Sequence, residues 1–322
     1  MFRLVRLILI VLALATTLLS IFAIIGSYKN EDYLTRIYLV DIHMTNFKLG
    51  KVLNLDKLGV SFDQEDILNK ILDQFTYDKL GLSQVYSASF WGYCKGSVKG
   101  NDSSSHGFDN SNLNITWCSP AKAGYYLDPL EIFKKDMNSS LKNTDSGHHI
   151  LDGVAKKYLG EIVDNLSYNS MGLPGNMQDN LTLLNNLTKA GFALLFITAI
   201  LLVLFVVFQI LGFIFDPRNL CYSCINFFFE TLIFVCAAVG SALLTGAYYY
   251  VRRTFNNNLS DYGMKSFLSI AFYALCWSAC ASTIIILLFN LIAHCCGFTF
   301  RRNRYKSIQQ PIDSNDIPRE KL

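Results

Sequence analysis

The sequence predicts a membrane protein: four transmembrane α-helices in a bundle, with an α+β extracellular domain in the first loop. Three observations predict it. Of 322 residues, 52% are hydrophobic and 16% charged, below the roughly 25% charge of an average soluble domain. The apolar residues are gathered into four long blocks, one at the N-terminus and three in the C-terminal part of the chain. A polar segment, residues 27–189, separates the first block from the others and holds two of the nine cysteines. This distribution excludes a soluble single-domain enzyme. The net charge of +3, without a basic stripe interleaved with aromatics, speaks against nucleic-acid binding.

The elements follow in order. Residues 1–6, carrying Arg3 and Arg6, form a cytosolic N-terminus, and 7–26 the first span. A positive start followed by an apolar run also describes a secretory signal peptide, but this run is long for one, and Ile24 and Gly26 make a poor cleavage site. The second span is 190–215, without a charge. A short cytosolic loop, 216–223, leads to the third span, 224–250, whose one acid is Glu230. An extracellular loop, 251–266, precedes the fourth span, 267–293, and a basic cytosolic tail, 294–322, completes the chain. At 1.5 Å per residue each block can cross a hydrocarbon core of about 30 Å as a helix that satisfies its own backbone.

Two signals orient the spans. Arg3, Arg6, Arg218 and the cluster Arg301, Arg302, Arg304 and Lys306 fall on one side, although Arg252, Arg253 and Lys265 sit on the other. Glycosylation sequons start at Asn101, Asn114, Asn138, Asn165, Asn180 and Asn186 in the long loop and at Asn258 in the short one. Both place the two termini in the cytosol.

Segment 27–189 is long enough to fold as a unit. In an oxidising exterior its lone cysteines, Cys94 and Cys118, most simply form a disulfide worth about 3 kcal/mol in the chain-entropy model, two unpaired thiols being the alternative. Aromatic residues flank them: Tyr86, Phe90, Trp91 and Tyr93 before, Trp117, Tyr125 and Tyr126 after. Alternation over Val85–Cys94 suits a strand. Helical spacing marks Ala121–Met137, Ile150–Leu166 and, as a short amphipathic helix, Ile67–Phe75. These stripes read as core packing or, alternatively, as a surface that docks a partner or the membrane.

Four spans, a large first loop with a Trp shortly before the first of two cysteines, and a basic tail resemble the claudin-like tetraspans. Local segments sharpen the likeness. Thr35-Arg36-Ile37-Tyr38, Phe90-Trp91-Gly92-Tyr93-Cys94, Cys118-Ser119-Pro120 leading to Tyr126-Leu127-Asp128-Pro129, and Asn258-Leu259-Ser260-Asp261-Tyr262-Gly263 are similar to the fungal Sur/PalI family over most of the chain. The family motif thus rests on Phe90, Trp91, Gly92, Tyr93, Cys94, Cys118, Asp128 and Pro129. Ser89-Phe90-Trp91 stands where claudins carry Gly-Leu-Trp, and no earlier Trp occurs in the loop, which argues for the fungal family over junction proteins. The resemblance implies a plasma-membrane protein of eisosome-associated patches at the cell cortex, serving membrane organisation, cell-wall integrity and stress response. Other members of the wider group sense pH or assemble the spore membrane.

No constellation for an enzyme, cofactor or metal is legible. His43, His106, His148, His149 and His294 are scattered, and adjacent His148-His149 read as solvated. Cys221 and Cys224 have C-x-x-C spacing without a redox or zinc context. With Cys295 and Cys296 they are candidates for S-palmitoylation at the cytosolic boundary. Arg301, Arg302, Arg304 and Lys306 read either as a stop-transfer flank or as a lipid-facing basic cluster, attracting anionic lipids at about 1 kcal/mol per charge. Small residues repeat every four positions, at Ala238, Ala242 and Gly246 and at Ala274, Ser278 and Ser282, and read as packing inside the bundle. Glu230 reads as snorkelling to the headgroups or pairing with Arg218, ahead of an ion pathway.

The function expected is therefore a non-enzymatic organiser of a plasma-membrane subdomain. Its partners would be membrane lipids, other tetraspans or itself within a patch, and cortical scaffold proteins. The alternatives are a sensor or regulatory subunit for pH, wall or calcium signalling, a spore-membrane or endomembrane factor, and a transporter or channel subunit depending on Glu230.

Overall fold

The computed structural model describes residues 2–44, 47, 76–78, 80–98, 108–109, 113–142, 160–161, 163–168, 177–215, 220–260 and 263–295. In chain order the elements are α1 (Phe2–Ile25), α2 (Asp32–Thr35), β1 (Val40–His43), β2 (Val85–Ala88), β3 (Tyr93–Val98), β4 (Phe108–Asp109), β5 (Leu113–Cys118), α3 (Pro129–Lys142), α4 (Met177–Phe215), α5 (Leu220–Leu259), β6 (Lys265–Ser269) and α6 (Ile270–Cys295).

Four of these helices, α1, α4, α5 and α6, are long and apolar enough to cross a membrane. They form a ring: α1 and α5 each pack on both α4 and α6. The 39 residues of α4 and 40 of α5 extend to about 60 Å, nearly twice a hydrocarbon core. The sequence starts the second span at 190 and ends the third at 250, where the apolar runs stop; α4 already begins at 177 and α5 continues to 259, through the expected loop, because polar residues carry both helices beyond the lipid. Gly191 lets α4 approach α5 closely, since a Cβ there would lie 2.6 Å from Leu244 Cγ.

The projecting ends carry a six-stranded sheet of order β4-β6-β1-β2-β3-β5. All pairings are antiparallel except β4 with β6. Its core face presents Val40, Ile42, Tyr86, Ala88 and Tyr93 to Ile132 and Phe133 of α3. Cys94 and Cys118 lie opposite each other in the β3–β5 register and are joined by a disulfide. The register then shifts between Lys95 and Gly96, where a Cβ on Gly96 would sit 2.1 Å from the Asn114 carbonyl oxygen; only glycine fits this bulge.

Several elements differ from the expectation. Val85–Cys94 is two strands, because Ser89–Gly92 turns and sends Phe90 and Trp91 toward the bundle. The helix expected at Ala121–Met137 starts at Pro129, where the Asp128 carboxylate accepts from the N–H groups of Leu130 (3.1 Å) and Glu131 (3.2 Å). An acidic N-cap followed by proline at the first helical position sets that start. Residues 267–269, expected in the fourth span, are strand: Lys265–Ser269 pairs with β1, and α6 begins afterwards. The sheet is thus not closed within 27–189; the segment before α6 supplies an internal strand. The stretch 67–75 and residues 150–159 lie outside the described residues, while 160–161 and 163–165 are helical.

Candidate functional site between the domain and the bundle

The chemistry-bearing residues concentrate where the sheet sits on the helix ends. One buried core runs without interruption from β1, β2 and α3 through Phe90 into Leu195, Ala199, Leu244, Tyr248 and Phe272 of the helices. A second, Leu9, Ala13, Leu202, Phe205, Val206, Ile233 and Ile286, closes the opposite half of the bundle.

The motif residues join the two layers. Trp91 donates its indole N–H to the Ile24 carbonyl of α1 (2.8 Å) and meets Tyr28 and Phe192 edge to face, with ring centroids 5.2 and 5.6 Å apart. Phe90 packs on Phe192 of α4 and Phe272 of α6, at 5.1 and 5.6 Å. Gly92 and the turn close through the Ser89 N–H to the Gly92 carbonyl (2.8 Å), and the Tyr93 N–H donates to Ser119 Oγ (3.1 Å). Asp128 accepts a short bond from the Tyr168 hydroxyl besides capping α3. Pro129 stands at the first position of α3.

Further ties carried no motif signal. Asn185 of α4 accepts from the Leu127 N–H (2.7 Å) and donates to the Leu127 carbonyl (3.0 Å), as a strand would. Asn256 of α5 does the same for Ser266 of β6, at 2.7 and 3.0 Å. Ser269 caps α6 through the Phe272 N–H (3.2 Å) and donates to the Arg36 carbonyl (2.8 Å). A sequence signal did exist for one of them, since a serine three residues before the first turn closes is an N-cap pattern.

Inside the domain, Asp136 is buried and bound by Lys95 (3.0 Å) and the Tyr86 hydroxyl (2.8 Å). Burial, then the Asp136 charge, hold the Tyr86 phenol well above its ordinary value. Burial pushes Tyr125 up to about 12, with Tyr93, Glu131 and Asp128 adding to it. His43 meets Asp41 at 2.9 Å, and Asp41 also accepts from the Phe267 N–H (3.1 Å); alternation on β1 puts both side chains on one face.

Glu230 does not snorkel. It is 2% exposed, and its carboxyl accepts from Asn226 Nδ2 (2.9 Å) and from the Asn290 amide of α6. Asn226 in turn accepts from Gln209 of α4 (2.6 Å). Two amides bind one oxygen of the carboxyl and Gln209 backs Asn226, so side chains from three helices surround it where a polar group in hydrocarbon is costly. Arg218 lies outside the described residues. Arg6 is buried with its guanidinium 5.3 Å from the Tyr222 ring.

The small-residue repeats also face away from the expected place. Ala242, Gly246, Ala274 and Ser278 are exposed on the outside of the bundle, and the inner seam is Ile233, Ala237, Leu244 and Tyr248. Among the sequons, Asn114, Asn165 and Asn186 are exposed, while Asn138, Asn180 and Asn258 are half-buried; Asn101 lies outside the described residues. Cys224 is exposed; nothing is described of the side chains of Cys221 and Cys295, nor of Cys296, Arg301, Arg302, Arg304 or Lys306.

A ring of four spans whose two same-side loops share one sheet, tied to the helix ends by a Trp turn next to a disulfide, is the build of a tetraspan membrane protein with a β-containing domain on one side. The chain belongs to the SUR7/PalI family, whose profile matches residues 5–289. It is similar to Protein PUN1 of Saccharomyces cerevisiae, 25% identical over 288 residues that cover 88% of each chain. No solved structure matches it. The family is one of fungal multi-pass membrane proteins and is not a known enzyme family.

Proposed function

We propose that the protein is a non-enzymatic organiser of a plasma-membrane subdomain, an eisosome-associated patch, through which it serves membrane organisation, cell-wall integrity and stress response. The observation that carries this reading is the single core shared by the sheet and the bundle. A domain clamped to the helix ends through Trp91, Asn185 and Asn256 cannot swivel. A lateral contact made by either layer therefore fixes the orientation of the other, which is what an ordered patch needs.

In this reading the domain faces outward and both termini lie in the cytosol. The described sequons, all on the domain side of the bundle, carry glycans. Cys295 and Cys296, with Cys221 and Cys224, take acyl chains. Arg301, Arg302, Arg304 and Lys306 hold anionic lipids or a cortical scaffold. The test is photobleaching of a C-terminally tagged chain in fungal cells, beside the Cys94→Ser, Cys118→Ser double variant. Immobile cortical patches, lost in the variant, are expected. Free diffusion or an internal signal from the unmutated chain overturns the reading.

A further inference from the structure

A cavity of about 590 Å³ opens on the outside of the bundle, where α2 meets the first half of α6. That volume falls within the range of small-molecule sites. Asp32, Tyr33 and Arg36 line its upper part, and Ala271, Ala274 and Ser278 its floor. Its level in the membrane follows from Ser269, which caps α6 and donates to the Arg36 carbonyl at 2.8 Å. Arg36 therefore stands where the fourth span starts, at Ile270. From Ala271 to Ser278 the floor descends about 10 Å into the hydrocarbon.

Two features select the occupant. The small side chains Ala274 and Ser278 face outward, leaving a trough in a helix surface otherwise covered by Ile270, Trp277 and Ile284. Above it, Asp32 and Arg36 stand four residues apart, close enough to interact, yet neither side chain carries an ion pair or hydrogen bond among the described residues. Tyr33, 63% exposed beside them, is an interfacial residue in type and place. A ligand that matches all three walls has a phosphate for the guanidinium, an ammonium for the carboxylate and a hydrocarbon chain for the trough. A sterol offers Arg36 and Asp32 one neutral hydroxyl and no counter-charge, and an anionic headgroup sets its negative charge against Asp32.

We propose that this groove binds one zwitterionic phospholipid from the leaflet on the domain side. Its phosphate rests on the Arg36 guanidinium as a charge-assisted pair, its ammonium on the Asp32 carboxylate, and one acyl chain along Ala271, Ala274 and Ser278. This site is separate from the lateral assembly proposed above, and neither depends on the other.

The test reconstitutes the full chain into nanodiscs of equimolar phosphatidylethanolamine, phosphatidylserine and ergosterol, followed by release and native mass spectrometry. The unmutated chain should retain one phosphatidylethanolamine. Arg36→Gln should lower that fraction about tenfold. Asp32→Asn, at an exposed position with no partner to lose, should move the preference toward phosphatidylserine. Ala274→Phe fills the trough from outside the core and should abolish retention at an unchanged melting temperature. Equal retention by the unmutated chain and Ala274→Phe, preferential retention of phosphatidylserine or ergosterol by the unmutated chain, or no change of preference in Asp32→Asn overturns the proposal. So does an Ala274→Phe variant that alters only the oligomeric state, which would assign the face to a second copy of the chain.

Discussion

The indole N–H of Trp91 donates to the Ile24 carbonyl at 2.8 Å, joining residues 67 positions apart. Ile24 lies in the last turn of α1, where carbonyls have no partner within the helix. A motif residue of the domain thus completes the hydrogen bonding of the first span. Trp91→Phe keeps the ring contacts with Tyr28 and Phe192 and loses the bond, so a cost of about 1 kcal/mol is expected. Trp91→Ala loses both, about 3–5 kcal/mol. Thermal melts in nanodiscs check the order; a Trp91→Phe variant that melts with the unmutated chain would show that the bond contributes nothing.

Cys94 and Cys118 close a loop of 24 positions at the β3–β5 pairing. Replacing both with serine should cost about 2–4 kcal/mol. Non-reducing electrophoresis and melting of the purified double variant read this, and the sheet should remain, since β1, β2 and β6 pair independently of the bond.

Asp136 is buried beneath Lys95 and the Tyr86 hydroxyl. Asp136→Asn removes the charge while keeping the shape, and should destabilise the domain by about 1.5–3 kcal/mol. Adding Lys95→Met to it should cost less than the sum of the two single changes, because the pair is coupled. Additive costs would refute the coupling.

Glu230 is held by Asn226 and Asn290. Glu230→Gln retains an acceptor oxygen for both amides and should melt within about 1 kcal/mol of the unmutated chain. Glu230→Leu strands two amide groups in hydrocarbon and should cost about 1–3 kcal/mol. A leucine variant as stable as the glutamine one would show that the amides find other partners.

Tyr125 is pushed up to about 12, and Tyr86, Tyr93 and Tyr168 are also raised by burial first. In the unfolded chain these phenols ionise near 10. The stability they contribute is therefore complete below pH 10 and falls as pH rises toward 12, because the folded state then holds protons that the unfolded state has released. Melting temperature across pH 8–12 should drop above 10, and less steeply in Tyr125→Phe. A flat profile would contradict the burial of these rings.

The four spans were legible because each is a continuous apolar block, and hydrocarbon leaves a polypeptide no local choice but a helix. The cysteine pair was legible because segment 27–189 contains no other cysteine. The helix start at Asp128-Pro129 is also a local signal, which helical spacing over Ala121–Met137 masked. These signals are local and act within a few residues.

What the tertiary structure decided is where the segments meet. Phe267 and Leu268 read as the start of a span from their apolarity, but an open edge of β1, anchored by Asp41 and Asn256, draws Lys265–Ser269 into the sheet. Glu230 read as reaching for water, but one amide from its own helix, one from α6 and, behind them, one from α4 made an interior seat possible. Ala274 and Ser278 read as bundle packing, and the rotation of α6 turned them outward, because Phe272, Tyr273, Cys276 and Ala279 fill the inner seam better. By itself the sequence determined the four spans and that they cross a membrane, through the free energy of burying backbone and apolar surface. Only the folded chain decided the partners, because strand pairing, helix rotation and buried polar contacts depend on residues far apart in sequence.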